Sequence, residues 1–184
     1  MLRGYQTLEF RDNNDEIELN GPFPCHAPNA WLGEGYYFWD RRIEWAHEWG
    51  KNCMKRKKTA WKGYVIGEAL LNNDETVMFD LYGNPEHQEE FRSIKELLED
   101  APAYHMSRPT VKEVLDFMIR KNILEYKAVR AADNNPNTTE DIYFDHKEKN
   151  APYMRIGQRV QICLYEKSSI TLQNFSVIHT HQSP

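Results

Sequence analysis

Apolar positions recur along this chain at two periods. Phe91, Ile94, Leu97 and Leu98 fall at helical spacing, and Val111, Val114, Leu115, Met118 and Ile119 follow an i, i+3, i+4, i+7, i+8 pattern, which predicts two amphipathic helices. Thr110 and Glu113 head the second with a capping-box pattern. Farther upstream, Trp45, Trp49 and Cys53 form an i, i+4 row beside Ile43 and Ala46, so a third helix is expected from Asp40, whose carboxylate can cap it. Strand-like runs cover residues 64–71 and 77–81, and the loop Asn72-Asn73-Asp74-Glu75 between them predicts an antiparallel hairpin. Residues 142–144, 160–165 and 175–179 also read as strands. Within 160–165 the period of two puts Val160, Ile162 and Leu164 on one face and Gln161, Cys163 and Tyr165 on the other.

Between these elements the chain is polar. Residues 1–30 hold a short strand at the start, then the acidic run at 12–16 and Asn20-Gly21-Pro22-Phe23-Pro24, which read as loop. Residues 133–141 have too few apolar side chains to be buried and are expected at the surface. No repeat, low-complexity tract or linker divides the chain, and 184 residues suit one domain with its own core.

Composition narrows the function classes. Hydrophobic residues make up 40% and charged residues 28%, an ordinary globular balance. A formal net charge of -5 gives no global basic field toward nucleic acid or an anionic membrane. A local basic run, Lys51, Lys55, Arg56, Lys57, Lys58 and Lys62 with Trp61 interleaved, reads first as a solvated helix end and second as a nucleic-acid contact. Cys25, Cys53 and Cys163 are widely spaced without a CxxC, so neither a disulfide framework nor a four-cysteine zinc site is expected, and a reducing cytoplasm suits them. The start, Met1-Leu2-Arg3-Gly4-Tyr5, lacks a leader pattern, and no window approaches eighteen apolar residues, so membrane attachment is not expected and any export would be signal-less. His179-x-His181, even with Cys25-His26, has no second pair at metal spacing, so no metal is expected.

The most specific stretch is Trp31-Leu32-Gly33-Glu34-Gly35-Tyr36-Tyr37-Phe38-Trp39-Asp40, followed by a helix bearing Trp45-Ala46-His47-Glu48-Trp49. Two glycines around one residue permit positive φ and a close backbone approach, and the aromatic density either builds core or offers flat faces to a planar ring. This segment resembles the NAD-binding segment of ADP-ribosyltransferases of the diphtheria-toxin and poly(ADP-ribose) polymerase type, with Gly33, Gly35, Tyr37 and Phe38 matching a Gly-x-Gly-x-Tyr-Phe strand.

The resemblance implies an α+β fold in which two small, mostly antiparallel sheets form an NAD cleft with helices packed around it. It also implies that Tyr37, with Trp45 or Trp49, clamps the nicotinamide ring. The family's first motif is represented by Arg3-Gly4-Tyr5, closer to the arginine of the cholera-toxin-like branch, and Arg3 with Gly4 is expected to hold NAD through phosphate or ribose. The third motif, an acidic residue heading a late strand, aligns with Gln161, an amide in place of the usual glutamate. The expected catalytic residues are therefore Gln161, Tyr37 and Arg3, with NAD as substrate. The implied activity is transfer of ADP-ribose to a protein or nucleic-acid acceptor by a cytoplasmic toxin or defence effector, with an antitoxin or immunity protein as a further partner. A catalytically silent NAD or ADP-ribose binding module is the alternative, and a pure interaction protein with an aromatic core is a third reading. Rossmann binding of NAD is not supported, since no GxGxxG follows a strand.

Overall fold

A computed structural model of the chain describes residues 1–57, 59–101, 103–104, 106–145 and 151–182. Lys58, part of the basic run, lies outside the described residues. The elements in chain order are β1 (Leu2–Glu9), α1 (Asn14–Asn20), β2 (Tyr36–Asp40), α2 (Ile43–Lys55), β3 (Gly63–Leu71), β4 (Met78–Asp80), α3 (Pro85–Asp100), α4 (Val111–Arg120), β5 (Ala128–Asp133), β6 (Glu140–Tyr143), β7 (Tyr153–Ile156), β8 (Arg159–Leu164) and β9 (Leu172–Gln182). The fold is α+β, as its pattern predicts.

The strands divide differently from the expected pair of small sheets. Seven form one mixed sheet in the order β4-β5-β8-β2-β1-β3-β9, and β6 and β7 form a separate two-stranded ribbon. All neighbours in the large sheet are antiparallel except β4 and β5. Helix α2 packs over β1, β2 and β3, whereas α3 packs with α4 and against β4. Leu98 of α3 and Val114, Leu115 and Met118 of α4 meet Phe79, Val129 and Cys163 in one core cluster. Burying each such aliphatic side chain contributes roughly 1.5–3 kcal/mol. The opposite face of the sheet buries Leu2, Phe38, Leu71, Met78 and Ile162.

The expected helices at 91–98 and 111–119 form, and the Thr110–Glu113 capping box is present in both directions. Three other expectations are corrected. The segments 64–71 and 77–81 do not pair with each other: β3 lies between β1 and β9, and β4 runs parallel to β5 at the other edge. The loop between them is closed locally, with Asp74 Oδ1 accepting from the Thr76 backbone N–H and hydroxyl, so it does not supply the tight turn a hairpin requires. Asp40 ends β2 instead of capping α2, whose N-cap is Arg42 without a side-chain bond. The acidic segment read as loop contains α1, where Asp15 and Glu16 sit in the first turn, favourably placed on the helix dipole, and Ile17 is buried.

Candidate functional site

Strand alternation and register define the candidate site. Tyr5 pairs with Glu68 on β3 and with Trp39 on β2, Trp39 pairs with Gln161 on β8, and Gln161 pairs with Ala131 on β5. Directly opposed residues project to the same face. Glu68, Tyr5, Trp39, Gln161 and Ala131 therefore make one row across five strands, and Glu68 and Gln161 stand about 14 Å apart at the backbone, three strand spacings. Two residues along, Arg3 and Arg159 flank this row on one side, and Tyr37 and Cys163, themselves a pair, flank it on the other.

Helix α2 lies over this face because its buried positions, Ala46, Gly50 and Cys53, form its inward stripe. Gly50 allows the approach: a Cβ there would stand 2.4 Å from the Tyr64 ring. The helix brings Trp49 to Trp39, ring centroids 6.3 Å apart and inclined at 56°. Trp45 packs on the cluster of Tyr5, Trp39, Ala46, Tyr64 and Ile66. Trp49 thus meets Trp39, and Trp45 packs on the cluster that contains it, whereas Tyr37 packs on the other core cluster of this face. Trp39 was not singled out from the sequence, although it lies two residues beyond Tyr37 and so shares its face.

The Tyr37 hydroxyl is already engaged, donating to the Gly33 carbonyl at 2.7 Å and accepting from the Leu32 N–H at 3.0 Å. Burial, with Cys163 alongside, raises its pKa far above the ordinary tyrosine value. The same burial pushes the Cys163 thiol up to about 12, so it is no thiolate nucleophile. Tyr37 consequently fastens the glycine turn to the sheet. Gly33 has φ +92, which favours glycine, and Gly35 is tight for another reason: a Cβ would stand 2.4 Å from the Leu164 carbonyl oxygen and 2.6 Å from Cys163 Sγ. Gly4 faces Leu71 and Phe38, where a Cβ would stand 2.5 Å from Leu71 Cδ1. Phe38 is 1% exposed in the core beneath the sheet, on the face away from Tyr37, so its ring anchors the strand.

Arg3 is exposed and its Nε lies 3.4 Å from a Glu68 carboxylate oxygen. Burial raises the Tyr5 pKa, while Arg3 and Glu68 pull it in opposite directions. Arg159 is held by Asp133 on β5. Within the row Gln161 is 7% exposed, and its Oε1 is buried with no hydrogen-bond partner; Trp45 Nε1 is in the same condition. A buried acceptor or donor left unpaired is costly unless a further group completes it.

On the other face, Asp40 Oδ2 accepts from Arg130 Nε at 2.9 Å and Nη2 at 2.6 Å, while Arg130 Nη1 reaches Asp80 at 2.8 Å. Burial works against the Arg130 charge, but the two carboxylates outweigh it and raise its pKa. Asp80 is thus committed to this ion-pair network, remote from Tyr37.

Two recesses lie elsewhere. One of about 680 Å³ is lined by Glu44, His47, Glu48 and Lys51 of α2, Tyr64 of β3, and His179 and His181 of β9. Another of about 400 Å³ lies between α3 and α4 around Met106 and Phe117. Among the described residues no group of three or more His, Cys, Asp or Glu side chains is arranged to hold a metal ion, and no helix is long and apolar enough to cross a membrane. No protein-family model, curated protein or solved structure matches the chain.

Proposed function

We propose that the chain is a mono-ADP-ribosyltransferase that takes ADP-ribose from NAD and passes it to a macromolecular acceptor. The observation that carries this reading is convergence. Arg3, the strand following the Gly33–Gly35 turn, and Gln161, separated by more than a hundred residues at the extremes, belong to the adjacent strands β1, β2 and β8. On the shared face the Gln161 amide oxygen and the Trp45 indole N–H are each buried without a partner, and Trp49 packs against Trp39. An aromatic-walled site with a few convergent polar atoms suits a dinucleotide carrying a flat cationic ring.

In this chemistry the bond between nicotinamide and its ribose breaks with the electron pair passing to the ring nitrogen, neutralising a leaving group that needs no proton. Positive charge develops at the anomeric carbon, where the acceptor nucleophile adds and then releases its proton. The protein contributes orientation. Gln161 would bond a ribose hydroxyl, Trp45 would donate to an oxygen of the dinucleotide, and Arg3 would hold phosphate. An amide at 161 supplies no negative charge to the developing cation, which favours a slow enzyme acting on good nucleophiles. The family resemblance gives this activity a toxin or defence role in the cytoplasm, with an antitoxin or immunity protein as partner.

A catalytically silent NAD or ADP-ribose binder is the second reading, favoured by that neutral Gln161 and by the engagement of the Tyr37 hydroxyl with the glycine turn. Both readings require binding. Thermal unfolding with millimolar NAD should show a rise in Tm, because a ligand of the native state stabilises it. Trp45→Phe removes the unpaired donor and should shrink that rise while leaving the unliganded Tm close to wild type. No stabilisation of the wild type would overturn both readings.

A further inference from the structure

The basic run at the end of α2 plays no part in the candidate site. Lys51, Lys55, Arg56, Lys57 and Lys62 are all exposed, and none has an ion-pair partner among the described residues. Elsewhere on the same molecule Arg92, Lys95, Lys112, Lys127 and Arg155 are each held by a carboxylate. In a chain of net charge -5, a set of cations without carboxylate partners is a local field of opposite sign.

The fold gives this set a shape. On one flank of α2, Lys51 borders the recess of about 680 Å³ that also presents His47, His179 and His181. Lys62 precedes Gly63, which pairs with Gln182 next to His181, so it stands at the end of the same recess. On the other flank Trp49 is 38% exposed, and the Arg56 guanidinium lies over its ring at 5.2 Å. Glu44 and Glu48 are the opposing charges in the recess, where they line the wall with Lys51.

We propose that this belt around the C-terminal end of α2 is a docking surface for single-stranded nucleic acid, with phosphates on the cations and a base against Trp49. Exposed cations beside an accessible ring are the combination that tracks a single strand, whose bases are free to stack; a duplex keeps its bases away from such a ring. The cations of the belt take no part in the proposed NAD site, and Trp49 is the one residue the two surfaces share. If the chain takes NAD, the belt names nucleic acid as the acceptor class.

The test is fluorescence anisotropy of a labelled single-stranded oligonucleotide without NAD, so a failure here leaves the NAD reading to its own thermal measurement. Five phosphate contacts predict a slope of log K against log salt of about -3.5, and Lys51→Glu, Lys55→Glu and Lys57→Glu together should reduce it to about -1.4. Trp49→Ala should weaken binding about tenfold. The control changes the same charge on another surface through Arg92→Glu, Lys95→Glu and Lys121→Glu, and should bind at least ten times more tightly than the belt variant. Retained thermal unfolding checks that both triple variants fold. Absence of binding at low salt, equal loss in belt and control variants, or equal affinity for duplex would overturn the proposal.

Discussion

Trp39 and Gln161 stand directly opposite each other on β2 and β8, an aromatic ring beside an amide whose carbonyl oxygen has no partner. Helix α2 packs Trp49 against Trp39 and Trp45 on the cluster to which Trp39 belongs. Trp39 therefore packs with Trp49, and Tyr37, on the same face, ties down the glycine turn.

That division of labour predicts opposite phenotypes for two aromatic substitutions. Tyr37→Phe removes both hydroxyl bonds to the glycine turn and should cost roughly 1–3 kcal/mol of stability, since it leaves the Leu32 N–H without its partner. Trp49→Ala removes a 38% exposed ring and should cost less stability but more NAD affinity. Chemical denaturation and NAD titration of both variants check the split.

The two motif glycines should also separate. Gly35→Ala drives a Cβ into the Leu164 carbonyl of the neighbouring strand and should destabilise by at least about 2 kcal/mol. Gly33→Ala meets only ordinary contacts, at 3.6 Å and beyond, and should cost roughly 1–2 kcal/mol through its positive φ alone, less than Gly35→Ala. Urea unfolding midpoints measure the order.

Arg130 joins Asp40 and Asp80 across the other face of the sheet. Arg130→Met would leave the Asp40 carboxylate, whose side chain is 3% exposed, without its principal partner, and should cost about 3–5 kcal/mol. A loss below about 1 kcal/mol by urea denaturation would show that the network is not structurally important.

His47 carries a pH dependence. Its pKa is lowered, first by burial and then by the charges of His179 and Lys51, with His181 adding to them and Glu44 opposing; its Nδ1 meets the Tyr64 hydroxyl at 3.0 Å. A folded-state pKa below the unfolded value of about 6.5 means that the unfolded chain binds the proton more readily. The His47 contribution therefore leaves stability unchanged well above that pH and destabilises the fold as pH falls through it. His47→Gln should flatten the stability profile between about pH 7 and 5, measured by urea denaturation across that range.

Much of this arrangement was legible in the residues. The spacing of Val114, Leu115 and Met118 gives α4, Thr110 and Glu113 give its start, and the alternation around Gln161 gives β8 and its faces. Partner choice was not legible. The β3 burial pattern says that the strand is covered, but not that β1 and β9 flank it, because register and order are set by contacts distant in sequence. Asp40 looked like a cap because an acid before a helical row usually is one; Arg130, ninety residues away, claims it instead. Short α1 was hidden because Ile17 is the single buried side chain of a seven-residue helix.

The decisive measurement is nicotinamide release, with transfer of labelled ADP-ribose into a whole-cell lysate, by the wild type, Gln161→Ala and Gln161→Glu, alongside NAD affinity for each. If Gln161 orients the ribose in the transition state, Gln161→Ala should lower turnover about a hundredfold with little change in binding, and Gln161→Glu should release nicotinamide faster than the wild type by returning a negative charge to the developing cation. Bound NAD with no release by any of the three would contradict an enzyme and leave the silent binder.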